Sequence, residues 1–478
     1  MALTKIQNPQ ELTPAYNQMV WVFNSTNVNQ NGFRYIFTIT NGSGTQLAKL
    51  PVAAEPTYGY GYVDISKIIS DYLTYDINTT GVTNSCSNSM IKYNVNISES
   101  YLYSWDFTDN AYRTGGYLGF KGTTQPQFIV GDTIEVYQDS PFTNTSYEGQ
   151  TTITGVTYSG GLWYITTNKP FGSSSPVEPG TIYYANRTKT INVGSTYSNY
   201  YAFNGRRSHS DFIGWSASEW MIGSTTNSTD YFLTDLPDNF YMTGDQDMWL
   251  NMFKGTESNT STSVYFENSN GDTFRYNYIW TSSYGDTRIG QLAVGPNNAT
   301  YSLVSGTGSL IKSTTEWYDI YLKNTTSQLS RKYRVYLDTR CKIEDYEILF
   351  MDRMGSFVSY AFQLRSKETG NIERMDYNQF LGTINTSGWS YRNEDAGSTI
   401  YSVNFDKQLE LKTNWMTDEM SVYFEQLLTS PVTYLKVDGV YQPVIVQDNG
   451  YTTERQRNKI LIQKNIIVKF ANKEISNI

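Results

Sequence analysis

Apolar and polar positions alternate along most of the chain with the period of two that marks a half-buried strand. Met19-Val20-Trp21-Val22-Phe23 opens the pattern, and Phe33, Tyr35, Phe37 and Ile39 then fall on one strand face. Asn41-Gly42 predicts a hairpin turn, because both residues tolerate positive φ. One early segment changes period. Ile65, Ile68, Ile69, Tyr72 and Leu73 stand at i, i+3, i+4, i+7 and i+8, the face of an amphipathic helix that Asp64 or Ser66 can cap. Alternation returns at Tyr93 to Ile97, with Trp105 and Phe107 following.

Residues 124–187 have a rhythm of their own. Phe128 to Tyr137 predicts a strand pair around Gly131-Asp132. Short strands follow at Thr152–Val156 and Leu162–Thr166, joined through Ser159-Gly160-Gly161, and another lies at Thr181–Tyr184. Short strands at this spacing predict a small barrel, and the continuous β pattern on either side makes it an insertion. Beyond the Trp-rich patch from Trp215 to Trp220, Thr243-Gly244-Asp245-Gln246 fits a capping box, so Met248–Phe253 is expected as a short helix with Trp249, Met252 and Phe253 inward. Strands follow at Tyr318–Leu322, Tyr333–Leu337, Tyr346–Phe350 and Phe357–Phe362, with Gly355 at the turn between the last two.

Near the C-terminus, Met416, Met420, Tyr423, Phe424, Leu427 and Leu428 form a helical stripe that Ser430-Pro431 stops. Val432–Val437 and Val440–Val446 read as a hairpin closed by Asp438-Gly439, and Pro443 places the second strand at an edge. Lys459 to Phe470 reads as a last long strand. The fold class expected is mainly β, with multi-domain β-sandwiches of Ig or fibronectin type. Residues 1–123 with 188–228 make the first sandwich, 124–187 an inserted SH3- or OB-like barrel, 229–366 a second sandwich, and 367–478 a C-terminal α+β domain.

Composition sharpens this picture. With 478 residues, the chain is too long for one ordinary domain. Charged residues are only 17%, while 41 Tyr, 22 Phe and 10 Trp bring aromatics to 15%, which excludes a disordered chain. The net charge of -9 and the lack of a long basic run disfavour nucleic acid as a partner. No apolar run approaches a membrane span. The first ten residues lack the apolar core of a signal peptide, so synthesis in the cytoplasm and use without classical secretion are expected.

The chemistry-bearing residues are sparse. The single histidine, His209, lies in a polar, basic stretch and reads as an exposed loop residue. Cys86 and Cys341 are far apart in sequence and are expected as free thiols. Glu344, Asp345 and Glu347 are clustered, as are Asp245 and Asp247, and paired carboxylates can serve glycoside hydrolysis. The Glu344 cluster instead precedes or alternates with apolar strand residues, the pattern of an exposed strand face. The resulting reading is non-enzymatic, with no catalytic, metal-binding or cofactor-binding residue.

Several landmarks resemble a family of virion proteins of crAss-like and related tailed phages of Bacteroidetes bacteria. They are Tyr16 with Trp21-Val22-Phe23, Phe33-Arg34-Tyr35-Ile36 and Gly61 to Ile69, followed by Phe203-Asn204-Gly205, Phe232 to Pro237, Val294-Gly295-Pro296 and Met354 to Phe357. Leu427 to Pro431, Pro443 to Val446 and Phe470-Ala471-Asn472 resemble its close. The resemblance implies a multi-copy ring-type structural protein of the tail or neck. Its partners would be copies of itself in a cyclic ring, other tail or portal-proximal proteins and tail fibres, with no nucleic acid or membrane. The strand ending at Phe470 and the polar tail from Asn472 to Ile478 are the expected neighbour contacts. A carbohydrate-binding tail or head fibre is the alternative, and a glycoside hydrolase a weaker one.

Overall fold

In the computed structural model the chain is mainly β and built from several sheets. The structure describes residues 3–30, 32–75, 83–85, 88–102, 104–107, 112–114, 117–137, 147–168, 180–183, 189–223, 229–255, 262–278, 288–299, 302–303, 309–324, 327–339, 346–447, 462–472 and 474–477. The chain divides into two compact units, Met1–Tyr72 with Ile91–Ala202, and Leu73–Met90 with Phe203–Ile478.

In the first unit a three-stranded sheet, in the order Leu3–Gln7, Val20–Ser25, Gly61–Asp64, packs on a five-stranded one. The five-stranded sheet runs Leu12–Pro14, Lys189–Phe203, Met90–Tyr101, Arg34–Asn41, Gln46–Val52. The alternation in Val20–Ser25 and Arg34–Asn41 turns Trp21, Phe23 and Phe37 inward, where they are fully buried; the Phe23 and Phe37 rings meet edge-on at 5.7 Å. Beside this sandwich, a seven-stranded sheet gathers Tyr112–Thr114, Tyr117–Gly122, Leu162–Thr167, Tyr147–Ser159, Thr133–Tyr137, Gly180–Tyr183 and Ser104–Phe107 in that order. It therefore includes three strands N-terminal to residue 124. Gly160 and Gly161 both have positive φ and close its tightest hairpin.

The second unit is a two-sheet sandwich. A six-stranded sheet runs Asn239–Met242, Tyr333–Leu337, Trp317–Lys323, Thr262–Asn268, Thr273–Tyr278, Ser302–Leu303. The facing twelve-stranded sheet follows the path Ser366–Asn378, Ser398–Lys412, Asn465–Phe470, Val440–Val446, Thr433–Val437, Tyr346–Met351, Phe357–Phe362, Met248–Lys254, Ile289–Ala293, Thr83–Ser85. Glu474–Asn477 pairs beside Ser398–Lys412, and Met221–Ile222 beside Met248–Lys254. One core joins Leu250, Phe350 and Val358 of the large sheet to Phe266, Tyr318 and Val335 of the small one. It extends through Leu409, Leu435 and Val468, so sheet and core are continuous across residue 367. Helix Asp418–Thr429 covers it with Tyr423, Phe424 and Leu427, and Thr417 Oγ1 caps the helix by accepting from the Met420 N–H. Asp438 and Gly439 both have positive φ, as the expected hairpin requires.

Several sequence expectations change. Met248–Lys254 is a strand, not a helix. The turn before it does hold the side-chain contact of a capping box, Gln246 Oε1 accepting from the Thr243 N–H at 2.6 Å. The segment beyond is flanked by strands on both sides, and a short apolar run carries no period that separates buried strand from helix. Val440–Val446 is internal rather than an edge: it pairs with Thr433–Val437 up to Pro443 and with Asn465–Phe470 from Val444 on. Pro443 stands where the ladder changes partner, the position at which a missing N–H costs least. The turn after Arg34–Asn41 takes its positive φ at Gly44 rather than Gly42, because Asn41 Oδ1 closes a longer loop by accepting from the Thr45 N–H. Of the Phe128–Tyr137 strand pair only Thr133–Tyr137 is a strand, since Asp132 Oδ2 accepts from the Ile129 N–H and folds that segment into a turn. The early helix spans only Ser66–Ser70, with Ile65 and Ile69 buried and Tyr72 exposed. The last long strand begins at Asn465; residues 448–461 lie outside the described ones.

Gly355 has φ +88°, and an added Cβ would stand 2.5 Å from the Asn204 carbonyl oxygen. Gly355→Ala should therefore destabilise the second unit by on the order of 2–4 kcal/mol, from the left-handed backbone and the backbone clash together. A lower urea midpoint with an unchanged slope is the expected reading; an unchanged midpoint would show that the turn yields freely.

Candidate functional site

The sequence candidates separate. His209 is exposed, but it begins a five-residue helix rather than lying in a loop; Ser208 caps that helix by accepting from the Asp211 N–H. Cys86, Cys341, Glu344 and Asp345 lie outside the described residues. Asp245 is exposed. Asp247 and Glu347 are buried, which overturns the reading of Glu347 as part of an exposed strand face.

Glu347 and Asp247 share one cation. Lys436 Nζ lies 2.8 Å from Asp247 Oδ2 and 2.9 Å from Glu347 Oε2. The Asp247 N–H donates to Glu347 Oε1, Asn297 Nδ2 donates to Asp247 Oδ1, and the Tyr441 hydroxyl donates to Asp247 Oδ2. Burial raises the Glu347 pKa despite the partners that oppose it. Burial acts against the Lys436 charge, yet the two carboxylates outweigh it and raise that pKa too. One ammonium between two carboxylates keeps its own proton but only partly compensates the burial of Glu347. The cluster staples Tyr346–Met351 and Thr433–Val437 to the turn before Met248–Lys254. Its donors and acceptors face one another.

A second acid, Asp352, sits at the turn between Tyr346–Met351 and Phe357–Phe362. Its Oδ1 accepts from the Met354 and Ser356 N–H groups at 2.9 Å each, and its Oδ2 from the hydroxyls of Thr234 at 2.5 Å and Tyr423 at 3.3 Å. Burial pushes its pKa up to about 7, against the pull of the Thr234 hydroxyl and with a further push from Asp235. Asp235, raised by its own burial, is held by Arg207 and by Gln426 Nε2.

Asp235 also lines a cleft of about 380 Å³ with Arg207, Arg331, Trp215, Trp220 and Tyr231. Its rings are already engaged. Trp220 stacks on Trp215 at 5.4 Å and on Tyr231 at 4.8 Å, and Arg207 and Arg331 lie over Trp220 and Tyr231. Sugar stacking needs a free aromatic face, and this ladder covers its faces with its own residues.

The feature of a different kind is an arm. Ser366–Asn378 and Ser398–Lys412 pair over their whole length with one bulge at Met375/Asp376. Thirteen residues at ~3.3 Å each make a ribbon about 40 Å long. Every residue of Ser366–Asn378 after the first is exposed. At the far end a second small hairpin pairs Thr383–Asn385 with Gly388–Ser390. The tip is ordered by its own contacts: Trp389 Nε1 donates to the Leu381 carbonyl at 2.7 Å, and the Trp389 and Tyr391 rings lie 5.0 Å apart. Phe380, Ile384, Trp389 and Tyr391 are nevertheless 68, 75, 53 and 58% exposed. Ten of the 27 exposed large apolar side chains among the described residues lie between Ile372 and Tyr401. Concentrations of exposed apolar groups of this kind are characteristic of contact surfaces.

Sequence reasoning assigned residues 367–478 to a compact domain and passed over this arm. The signal was present in the alternation of Ile372, Arg374, Asp376 with Glu373, Met375, Tyr377, which places large apolar residues on both faces and so leaves no single buried side. The expected neighbour contact at the C-terminus is partly engaged within the chain, since Glu474–Asn477 pairs with Ser402–Phe405. Among the described residues no cluster of three or more His, Cys, Asp or Glu is placed to hold a metal ion, and no helix is long and apolar enough to cross a membrane. Compared with known protein families and with curated proteins, the chain matches none.

Lys436→Met leaves two buried carboxylates without their cation and should cost about 3–5 kcal/mol near neutral pH. The loss should shrink as pH falls, where Glu347, its pKa raised by burial, takes up a proton, and denaturation at neutral and acidic pH checks it. Asp352 gives the second test. Between the unfolded pKa of about 3.9 and the folded value of about 7, the folded chain holds a proton that the unfolded chain has released. Its contribution is full below that window and is lost as pH rises through it. Melting curves of Asp352→Asn should fall less steeply across the window than those of the parent chain; equal slopes would remove Asp352 as a titrating group.

Proposed function

We propose that this chain is a non-enzymatic structural subunit of a tailed-phage virion, a multi-copy ring component of the tail or neck that connects neighbouring tail proteins. The observation that carries the assembly role is the exposed arm. The ribbon's outer end, beyond the pairing of Ser402 with Asn477, has only two strands, and a two-stranded ribbon gains little stability by itself in water; with its apolar side chains exposed on both faces it is an element made for contact. Its ten apolar residues, about half exposed and with aromatics worth ~150–250 Å² each, offer on the order of 800 Å², one partner's share of a standard interface. The phage setting is supported by the landmark resemblance from Tyr16 to Asn472. The buried acids support the non-enzymatic reading, because their oxygens are engaged by structural donors.

The carbohydrate-binding fibre is the second reading, and the aromatic tip at Trp389 and Tyr391 is what favours it. Quantitative mass spectrometry and antibody labelling of purified phage particles separate the two. The expected result is many copies per particle, located at the tail or neck. Absence from the particle, or location on isolated spikes with binding to host capsule, overturns the proposal.

A further inference from the structure

The arm's counterpart lies on the same chain. A cleft of about 440 Å³ opens at the arm's base, with Tyr346, Phe405, Leu409, Leu435, Val437 and Phe470 supplying its apolar lining. We infer that the Trp389 tip of one copy docks in the Phe405–Phe470 cleft of a second copy. This rests on the multi-copy reading above and names the contact that would build the assembly.

Three observations select a second copy. The first is reach. Between Glu368 at the cleft and Asn378 the ribbon runs ten residues, about 33 Å, and the tip lies beyond. A continuously paired ribbon with one bulge cannot return its tip to its own base, so knob and cleft on one chain are out of each other's reach. The second is chemistry. The tip exposes Phe380, Leu381, Ile384, Trp389 and Tyr391, and the cleft sets apolar and aromatic side chains beside Glu368, Lys407, Gln442 and Asn472, an apolar floor with a polar rim. The third is charge. The cleft rim carries Glu368 and Lys407, 2.8 Å apart, and the tip carries Arg392 and Glu394, 3.8 Å apart. Each rim offers one cation and one anion, so Arg392 can meet Glu368 while Glu394 meets Lys407. A contact between two different patches of identical chains is head-to-tail, and repetition closes it into a ring when the rotation per subunit divides a full turn. The tip is also pre-organised, through Trp389 Nε1 on the Leu381 carbonyl and Gly382, whose φ is +86°. Little ordering remains to be done on docking.

The test uses the full chain with a photoreactive benzoylphenylalanine at position 389, mixed with isotopically heavy unlabelled chain. The expected cross-link joins position 389 of the light chain to residues of Thr433–Val437 or Val440–Val446 of the heavy chain. In sedimentation, Trp389→Ala at the tip and Gln442→Arg in the cleft should each weaken self-association by about 30-fold or more, with melting temperature unchanged. Arg392→Glu should weaken it less, and Glu368→Arg should restore it. Cross-links within one chain or to another surface overturn the docking, as does self-association unaffected by both variants or a chain still monomeric at about 100 µM. Capture of host glycan or of another virion protein by the tip in place of a second copy overturns it equally. Particles that carry many copies while cross-links miss the cleft would remove the docking and leave the structural role standing; cleft cross-links in a protein missing from particles would do the reverse.

Discussion

The second unit depends on one buried carboxylate. Asp352 has been taken out of water at a tight turn, a placement that destabilises the charged form and that only a full set of donors can offset. Those donors come from three separate stretches: Thr234, the turn residues Met354 and Ser356, and Tyr423 on the covering helix. The same turn is fixed from outside by Ser356 Oγ, which donates to the Leu233 carbonyl, and by Asn251 Nδ2, which donates to the Gly355 carbonyl. Moving any one of these segments strands a buried acid, so the large sheet, the helix and the Phe232–Pro237 stretch are held in one register. The landmarks that stand out in the sequence, Phe203-Asn204-Gly205, Phe232 to Pro237 and Met354 to Phe357, meet at this turn.

Rigidity at the base gives the arm its use. Ser398–Lys412 starts with exposed side chains at the arm's outer end and runs inward to the core, where Leu409 and Leu411 are buried. Asn465–Phe470 supports the inner part and Glu474–Asn477 the next, after which the ribbon has only two strands. Gly370 lies on the unsupported outer strand, and the Phe405 ring covers it so closely that a Cβ would stand 2.5 Å from a ring atom. An aromatic ring over a strand glycine restores the packing that glycine lacks. The arm is thus stiffened from within rather than left to a neighbour.

How much of this was legible depended on where the forces are local. The Asp438-Gly439 hairpin, the helical stripe from Met420 to Leu428 and the alternation around Trp21 and Phe23 follow from turn chemistry and period alone, whereas the Thr417 cap was not read from the sequence. Met248–Lys254 was misread because its period is uninformative when both faces are buried, and Pro443 because an internal strand can change partners at a proline. The Asp247–Lys436–Glu347 cluster joins residues 100 and 189 positions apart, and no local pattern announces such a pairing. The arm failed for the opposite reason: its alternation is ordinary strand alternation, and its significance lies in what it does not touch within its own chain.

That contrast bears on function. Where polar groups are concentrated in the second unit, at Asp352 and at Lys436, they are turned upon one another and tie strands together. Where apolar groups are concentrated in the open, at the tip, they are held in fixed positions and turned outward. Chemistry on a substrate calls for titratable groups with capacity left to bind or move a proton, and assembly calls for rigid apolar anchors with polar rims. The proposed structural role rests on the latter arrangement. A chain with a low charge density adds little electrostatic opposition to close contact between copies. In the proposed assembly the geometry of the contact would be set by the pitch and bulge of a ribbon fixed to a stiff core, the condition for every copy to meet the next at the same angle.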